Sequence, residues 1–197
     1  MDLIESLSYE ISKLPGVGSK SARRIVTHLL KAKDDYVSNL VKLMSDLKSK
    51  VGKCPVCGMF TENEVCSICS SSLRKKDRIC VVEESEDVHS FEESKVFDGL
   101  YHVLWGRISP YNGIYPEMLN IESLKKRSLA GGIKEIIIAT NPDDEGDVTA
   151  SYVKNAIGEI CPDIIFSRLS SGLQSGADIS FASSRALYSA FENRVKL

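Results

Sequence analysis

Four cysteines constrain this chain more than any other feature. Cys54-Pro55-Val56-Cys57 and Cys66-Ser67-Ile68-Cys69 form two CxxC knuckles separated by eight residues. At that spacing four thiolates can close around one tetrahedral zinc ion. Gly58 directly follows the first knuckle, where a tight turn brings N–H groups to sulfur. The 16-residue span has few apolar side chains, so metal binding must supply folding energy that a core cannot. Protein fills all four positions and leaves none for water, which makes the zinc (Zn²⁺) structural. A disulfide framework fits less well. The segment Met1 to Glu10 is acidic and amphipathic, with no basic n-region or cleavage site. A reducing cytosol would keep these thiols free. Cys80 and Cys161 sit in apolar contexts and read as small core residues.

The rest of the 197 residues is ordinary globular material, 43% hydrophobic and 26% charged. No apolar run approaches the roughly 20 residues of a membrane span. Charge is polarised, however. Residues 1–80 hold 14 Lys/Arg against 9 Asp/Glu, a net of +5, whereas residues 81–197 hold 11 against 18, a net of −7. Such asymmetry suits a part that meets polyanions beside a part that holds metal or faces a basic partner.

Apolar spacing predicts helices over residues 3–14, from about Ser19 to Leu30, and from about Tyr36 to Lys50. After the cysteines the pattern changes. Short apolar runs (Ile79–Val82, Leu100–Trp105, Ile136–Ala139, Ile164–Phe166) alternate with helical stretches near 87–94, 121–129 and 147–160. That alternation predicts a mostly parallel sheet. The stretch Ser167–Ser184 is the least regular, and Trp105 reads as core.

Two constellations carry chemistry. In Pro15-Gly16-Val17-Gly18 the glycines permit a tight turn with uncovered N–H groups, and the next helix aims its positive end at whatever binds there. Lys20, Arg23 and Arg24 follow at once, so the segment can grip a nucleic-acid backbone without reading bases. The alternatives are a plain interhelical turn and a P-loop, and the Gly-Lys-Ser/Thr that a P-loop requires is absent. The second constellation is acidic. Glu83 and Glu84 follow one strand; Asn141, Asp143, Asp144, Glu145 and Asp147 follow another, at the strand ends where open parallel sheets bind ligands. Glu83, Asp143 and Glu145 read as a cluster whose repulsion needs relief, either by a weakly held Mg²⁺ or by a basic partner surface. Asp144 and Asp147 read as solvated loop acids. His28, His89 and His102 are isolated, nothing suggests a Ser/His/Asp triad, and the spare cysteines Cys80 and Cys161 read as having no basic partner beside them.

Leu14-Pro15-Gly16-Val17-Gly18, the Cys54–Cys69 pattern, Ile79-Cys80-Val81-Val82-Glu83 and Ala139-Thr140-Asn141-Pro142 before Glu145-Gly146 together resemble the bacterial recombination-repair family RecR, over essentially the whole chain. The resemblance implies an α+β multidomain protein: a helix-hairpin-helix DNA-binding region over 1–53, a four-cysteine zinc motif over 54–79, an α/β Toprim domain with a mostly parallel sheet over 80–166, and a C-terminal packing or oligomerisation tail over 167–197. It implies a cytoplasmic, nucleoid-associated, non-catalytic scaffold, acting as a homodimer or homotetramer on gapped or junction DNA. Its partners would be RecO and, in many bacteria, RecF, with which it loads recombinase. A Mg²⁺-dependent Toprim nuclease or primase-like enzyme is the alternative. Asn141 stands where catalytic Toprim enzymes usually carry Asp, which argues for the scaffold; Asp143 partly restores the acidic pattern. Glu84 replaces a usual small residue. In the tail, Arg168, Gly172 and Gly176 fit the family, while Gln174, Ser180 and Ser183 depart from it.

Overall fold

The computed structural model describes residues 2–170, 172–173, 175–176 and 178–194; Gln174 lies outside these. The chain forms two compact units, residues 1–51 and 52–197.

The first unit is helical. Helix α1 (Leu3–Ser12) starts at Asp2, whose carboxylate accepts from the Glu5 N–H at 2.7 Å. Helix α2 (Ser19–Lys31) follows the Pro15–Gly18 turn, and α3 (Asp34–Lys50) carries Asp34 and Asp35 in its first turn, where acids favour the helix dipole. Helices α1 and α2 pack on one another, with Ala22 and Val26 buried. Much apolar surface stays exposed, including Leu3, Ile4, Leu7, Leu30, Val41 and Met44.

The second unit opens with strand β1 (Gly52–Lys53), paired antiparallel to β2 (Phe60–Thr61), then the short helix α4 (Ser67–Ser70). Next come β3 (Arg78–Val82), α5 (Ser85–Ser94), β4 (Leu100–Val103), α6 (Ile121–Leu129), β5 (Glu135–Ile138), α7 (Asp144–Gly158), β6 (Ile165–Arg168) and α8 (Ser184–Glu192). Strands β4-β3-β5-β6 form one sheet in that order, all parallel. Side chains of β3 alternate between two cores. Ile79 and Val81 face the layer with Leu124 of α6 and Val153 and Ile157 of α7; Cys80 and Val82 face Val88 of α5 and the cysteine segment. A strand buried on both faces reads as a continuous apolar run, as Ile79–Val82 does.

Two expectations change, and one element is added. Helix α7 begins at Asp144 rather than near Asp147, because the Asp143 side chain caps it by accepting from the Gly146 N–H at 2.8 Å. The tail contains helix α8, which is not among the helices predicted above from spacing; Ser183 caps it, and Leu187, Tyr188, Ala190 and Phe191 recur at helical spacing. Trp105 is not core. Its backbone turns to φ +65°, the residue is 37% exposed, and the indole N–H donates to the Gly58 carbonyl at 2.9 Å. The Lys53 ammonium, on an exposed residue, sits 3.3 Å from the ring centroid in a cation–π contact.

Candidate nucleic-acid interface, zinc clip and carboxylate cluster

Gly16 has φ +76°, a left-handed conformation that favours glycine, and the Val17 N–H closes the turn onto the Leu14 carbonyl at 3.0 Å. Gly18 is the N-cap of α2 and offers no side-chain acceptor. Among the described helices of eight residues or more, α2 alone has neither a side-chain cap nor an acid in its first turn. Its first N–H groups therefore stay open to solvent or ligand. A Cβ on Gly16 or Gly18 would meet nothing within 4 Å, so the approach is clear. Lys20, Arg23 and Arg24 are exposed, and among the described residues none of them is in an ion pair.

The four cysteine sulfurs lie within 4.8 Å of one another. A zinc–sulfur bond of about 2.3 Å in a tetrahedron sets sulfurs about 3.8 Å apart; Cys57 Sγ and Cys66 Sγ are 3.6 Å apart. Two backbone N–H groups already point at sulfur: Cys66 N–H at Cys54 Sγ, 3.5 Å, and Cys69 N–H at Cys66 Sγ, 3.4 Å. The donor set thus fits Zn²⁺ in chemistry and spacing. Hydrogen bonding from Cys69 and the other neighbours pulls the Cys57 thiol down to about 5, while burial pushes Cys66 up to about 11. Gly58 holds the turn at φ +81°, its N–H donating to the Cys54 carbonyl at 2.8 Å; an added Cβ would lie 3.0 Å or less from Asn120, Trp105 and the Val103 carbonyl. The clip also covers the sheet edge, since the Val103 N–H of β4 donates to the Cys57 carbonyl at 2.7 Å.

Sequence reasoning missed Arg127, an α6 residue whose guanidinium donates to the Tyr101 carbonyl at 2.7 Å. Burial lowers its pKa, while the four cysteines act to raise it, so it is a cation in the field of the clip.

The carboxylates meet at the topological switch point. Strand β3 leads out to β4 on one side and lies beside β5 on the other, so the ends of β3 and β5 bound a crevice. Glu83, with its side chain only 7% exposed, accepts from the Asn141 N–H and the Asn141 amide, both at 2.8 Å. Arg107 enters from the loop after β4. Its Nη1 lies 2.5 Å from Asp143 Oδ2, its Nε 2.8 Å from Glu145 Oε2, and its Nη1 4.0 Å from Glu83 Oε2. Glu145 also accepts from the Ser109 hydroxyl. The Gly146 N–H, then Arg107, hold the Asp143 carboxyl below its ordinary value. The three acids do converge, but the cation that relieves their repulsion comes from this chain itself. Sequence spacing showed no such link, because Arg107 lies 24 residues from Glu83 and 36 from Asp143. Asp147 is not simply solvated either: Arg168 and Arg185 both pair with it, and Arg185 also holds Asp144 at 2.7 Å.

A four-stranded parallel sheet with acids at its switch point defines a Toprim domain, and residues 77–165 match that family. Residues 2–48 match the family described as RecR, helix-hairpin-helix, and residues 51–71 the RecR zinc finger domain of the four-cysteine type. The chain is 42% identical to the recombination protein RecR of Clavibacter michiganensis, covering 98% of this chain and 96% of that one. It is 40% identical to RecR of Treponema denticola over the full length of both. The figure is 44% for RecR of Paenarthrobacter aurescens, over 97% and 95%. The chain belongs to the RecR family, and membership supports a role in recombinational repair. Among the described residues, no helix is long and apolar enough to cross a membrane.

Proposed function

We propose that this protein is a non-catalytic scaffold that holds DNA at gaps during recombinational repair. The observation that carries the reading is the uncapped start of α2. Gly16 and Gly18 leave N–H groups open, and Lys20, Arg23 and Arg24 add free positive charge, which together make a phosphate grip indifferent to base sequence. Cys54, Cys57, Cys66 and Cys69 hold one structural Zn²⁺ that keeps the clip folded against β4.

RecO, with RecF in some settings, is the partner, and the task is recombinase loading on gapped DNA. Family membership and the acidic second unit support this reading. The exposed apolar face of α1–α3 and the outer side of α8, with Tyr188 and Phe191, support assembly into a homodimer or homotetramer. Asn141 supports the absence of catalysis, since its amide is spent on Glu83 where a catalytic site would keep an acid.

One assay tests the reading. The purified protein is incubated with gapped DNA and Mg²⁺, and both gel shift and strand integrity are read. A shift with intact strands is expected. Mg²⁺-dependent cleavage that survives purification and vanishes in Glu145→Gln would replace the scaffold with a nuclease.

A further inference from the structure

Toprim folds are expected to offer carboxylates to Mg²⁺, yet here each carboxylate oxygen of the cluster is already engaged. Glu83 Oε1 accepts from the Asn141 N–H and Oε2 from its amide. Asp143 Oδ1 accepts from the Gly146 N–H, and Oδ2 from Arg107. Glu145 Oε1 accepts from Ser109, and Oε2 pairs with Arg107 Nε. Mg²⁺ requires near-ideal octahedral oxygen geometry and could not enter between these groups without expelling the guanidinium. A divalent ion beside an arginine would also meet like charge.

The loop that delivers Arg107 is fastened on both sides. Before it, the Gly106 N–H donates to the Glu83 carbonyl at 3.0 Å; after it, the Ile108 N–H donates to the Thr149 hydroxyl at 2.9 Å. Gly106 takes φ +128°, a conformation that glycine alone adopts readily. Asn112 in turn supports Ser109 at 2.8 Å. The guanidinium is thus held by backbone anchors to the end of β3 and to α7, the same two elements that carry the acids. Burial works against its charge, but Asp143 and Glu83 outweigh this and raise its pKa.

We propose that Arg107 is the resident cation of this cluster, holding Glu83, Asp143 and Glu145 together in place of a divalent metal. It is a positioning residue that fixes the acidic edge of the Toprim sheet and shuts out the ion. The proposal is independent of DNA binding, which uses the other unit of the chain.

The test is Mn²⁺ titration of the zinc-loaded full chain, followed by the electron paramagnetic resonance signal of the free ion. The parent should show no saturable site in the millimolar range. Arg107→Ala should bind Mn²⁺ at least about tenfold more tightly, since removing a like charge at this distance is worth a pKa-scale effect. Adding Glu145→Gln to that variant should erase the gain, and Arg107→Lys should restore exclusion. Zinc content and circular dichroism report folding. A folded Arg107→Ala protein without any gain overturns the proposal. If Arg107→Ala does not fold, the parent decides: saturable Mn²⁺ binding that Glu145→Gln removes overturns it, and its absence upholds it.

Discussion

Gly146 lets the start of α7 pass close to the Asn141 backbone beside the carboxylate cluster. A Cβ there would lie 2.0 Å from the Asn141 carbonyl oxygen, a backbone atom that cannot swing aside. Gly146→Ala should therefore cost about 1–3 kcal/mol and shift the urea midpoint downward at constant zinc. His102 acts through protons. It is wholly buried on β4, its Nε2 is 2.8 Å from the Asn120 carbonyl, and burial holds its pKa down to about 4. The unfolded imidazole, with an ordinary value of 6.5, binds a proton that the folded one refuses between these limits. Stability is then complete above about 6.5 and falls by up to about 3 kcal/mol as pH drops toward 4. His102→Gln keeps a donor for Asn120 and should flatten that part of the stability–pH curve; an unchanged curve would show that other groups set it. On α2, Lys20→Ala and Arg24→Ala should each weaken binding to every DNA sequence alike and reduce the salt slope by about one. Equal binding across salt concentrations would move the DNA site elsewhere.

At the scale of elements, the cysteine clip and β4 depend on each other. The clip gives the edge strand its outer partner, and β4 gives the clip the core it lacks: Met59 and Ile68 pack in one cluster with Tyr101 and Val103. Cys57→Ser should reduce zinc from about one equivalent to near none and lower the thermal midpoint by roughly 10 °C. Hydrogen exchange should speed up at the Val103 amide, which donates to the Cys57 carbonyl. A parent protein purified without chelators that contains no zinc would refute the metal assignment. Helix α7 shows a related dependence. Its first turn carries Asp144, Glu145 and Asp147 where the dipole welcomes acids, and Arg107, Arg168 and Arg185 then neutralise them from three other segments.

Over the whole molecule, charge follows the division into units. The helical unit offers free basic residues, whereas the sheet unit has tied many of its acids to its own arginines. Glu145→Lys should set a lysine against Arg107 and loosen the acidic edge without touching the clip or α2. Binding to RecO, the partner proposed above, should then fall at least about tenfold in a pull-down or titration, with zinc content and DNA binding preserved. Normal RecO binding by this variant would place the partner surface elsewhere.

Residue spacing by itself determined much of this protein. The two CxxC knuckles, the glycine turn before α2, and the alternation of apolar runs with helices are local signals, and local backbone and side-chain preferences suffice to read them. The acids at the ends of β3 and β5 were legible for the same reason, because strand ends in a parallel sheet share one edge. What only the tertiary structure decided is what those acids do. Arg107 reaches them through a loop whose sequence, Trp105-Gly106-Arg107, carries no period. The same holds for Arg127 beside the cysteines and for Arg168 and Arg185 on Asp147. Long-range ion pairs depend on where the sheet order brings distant segments, and no spacing along the chain encodes that order. Trp105 shows the limit most plainly: an apolar run predicts burial, but a positive φ at its end turned the ring out to cover the clip.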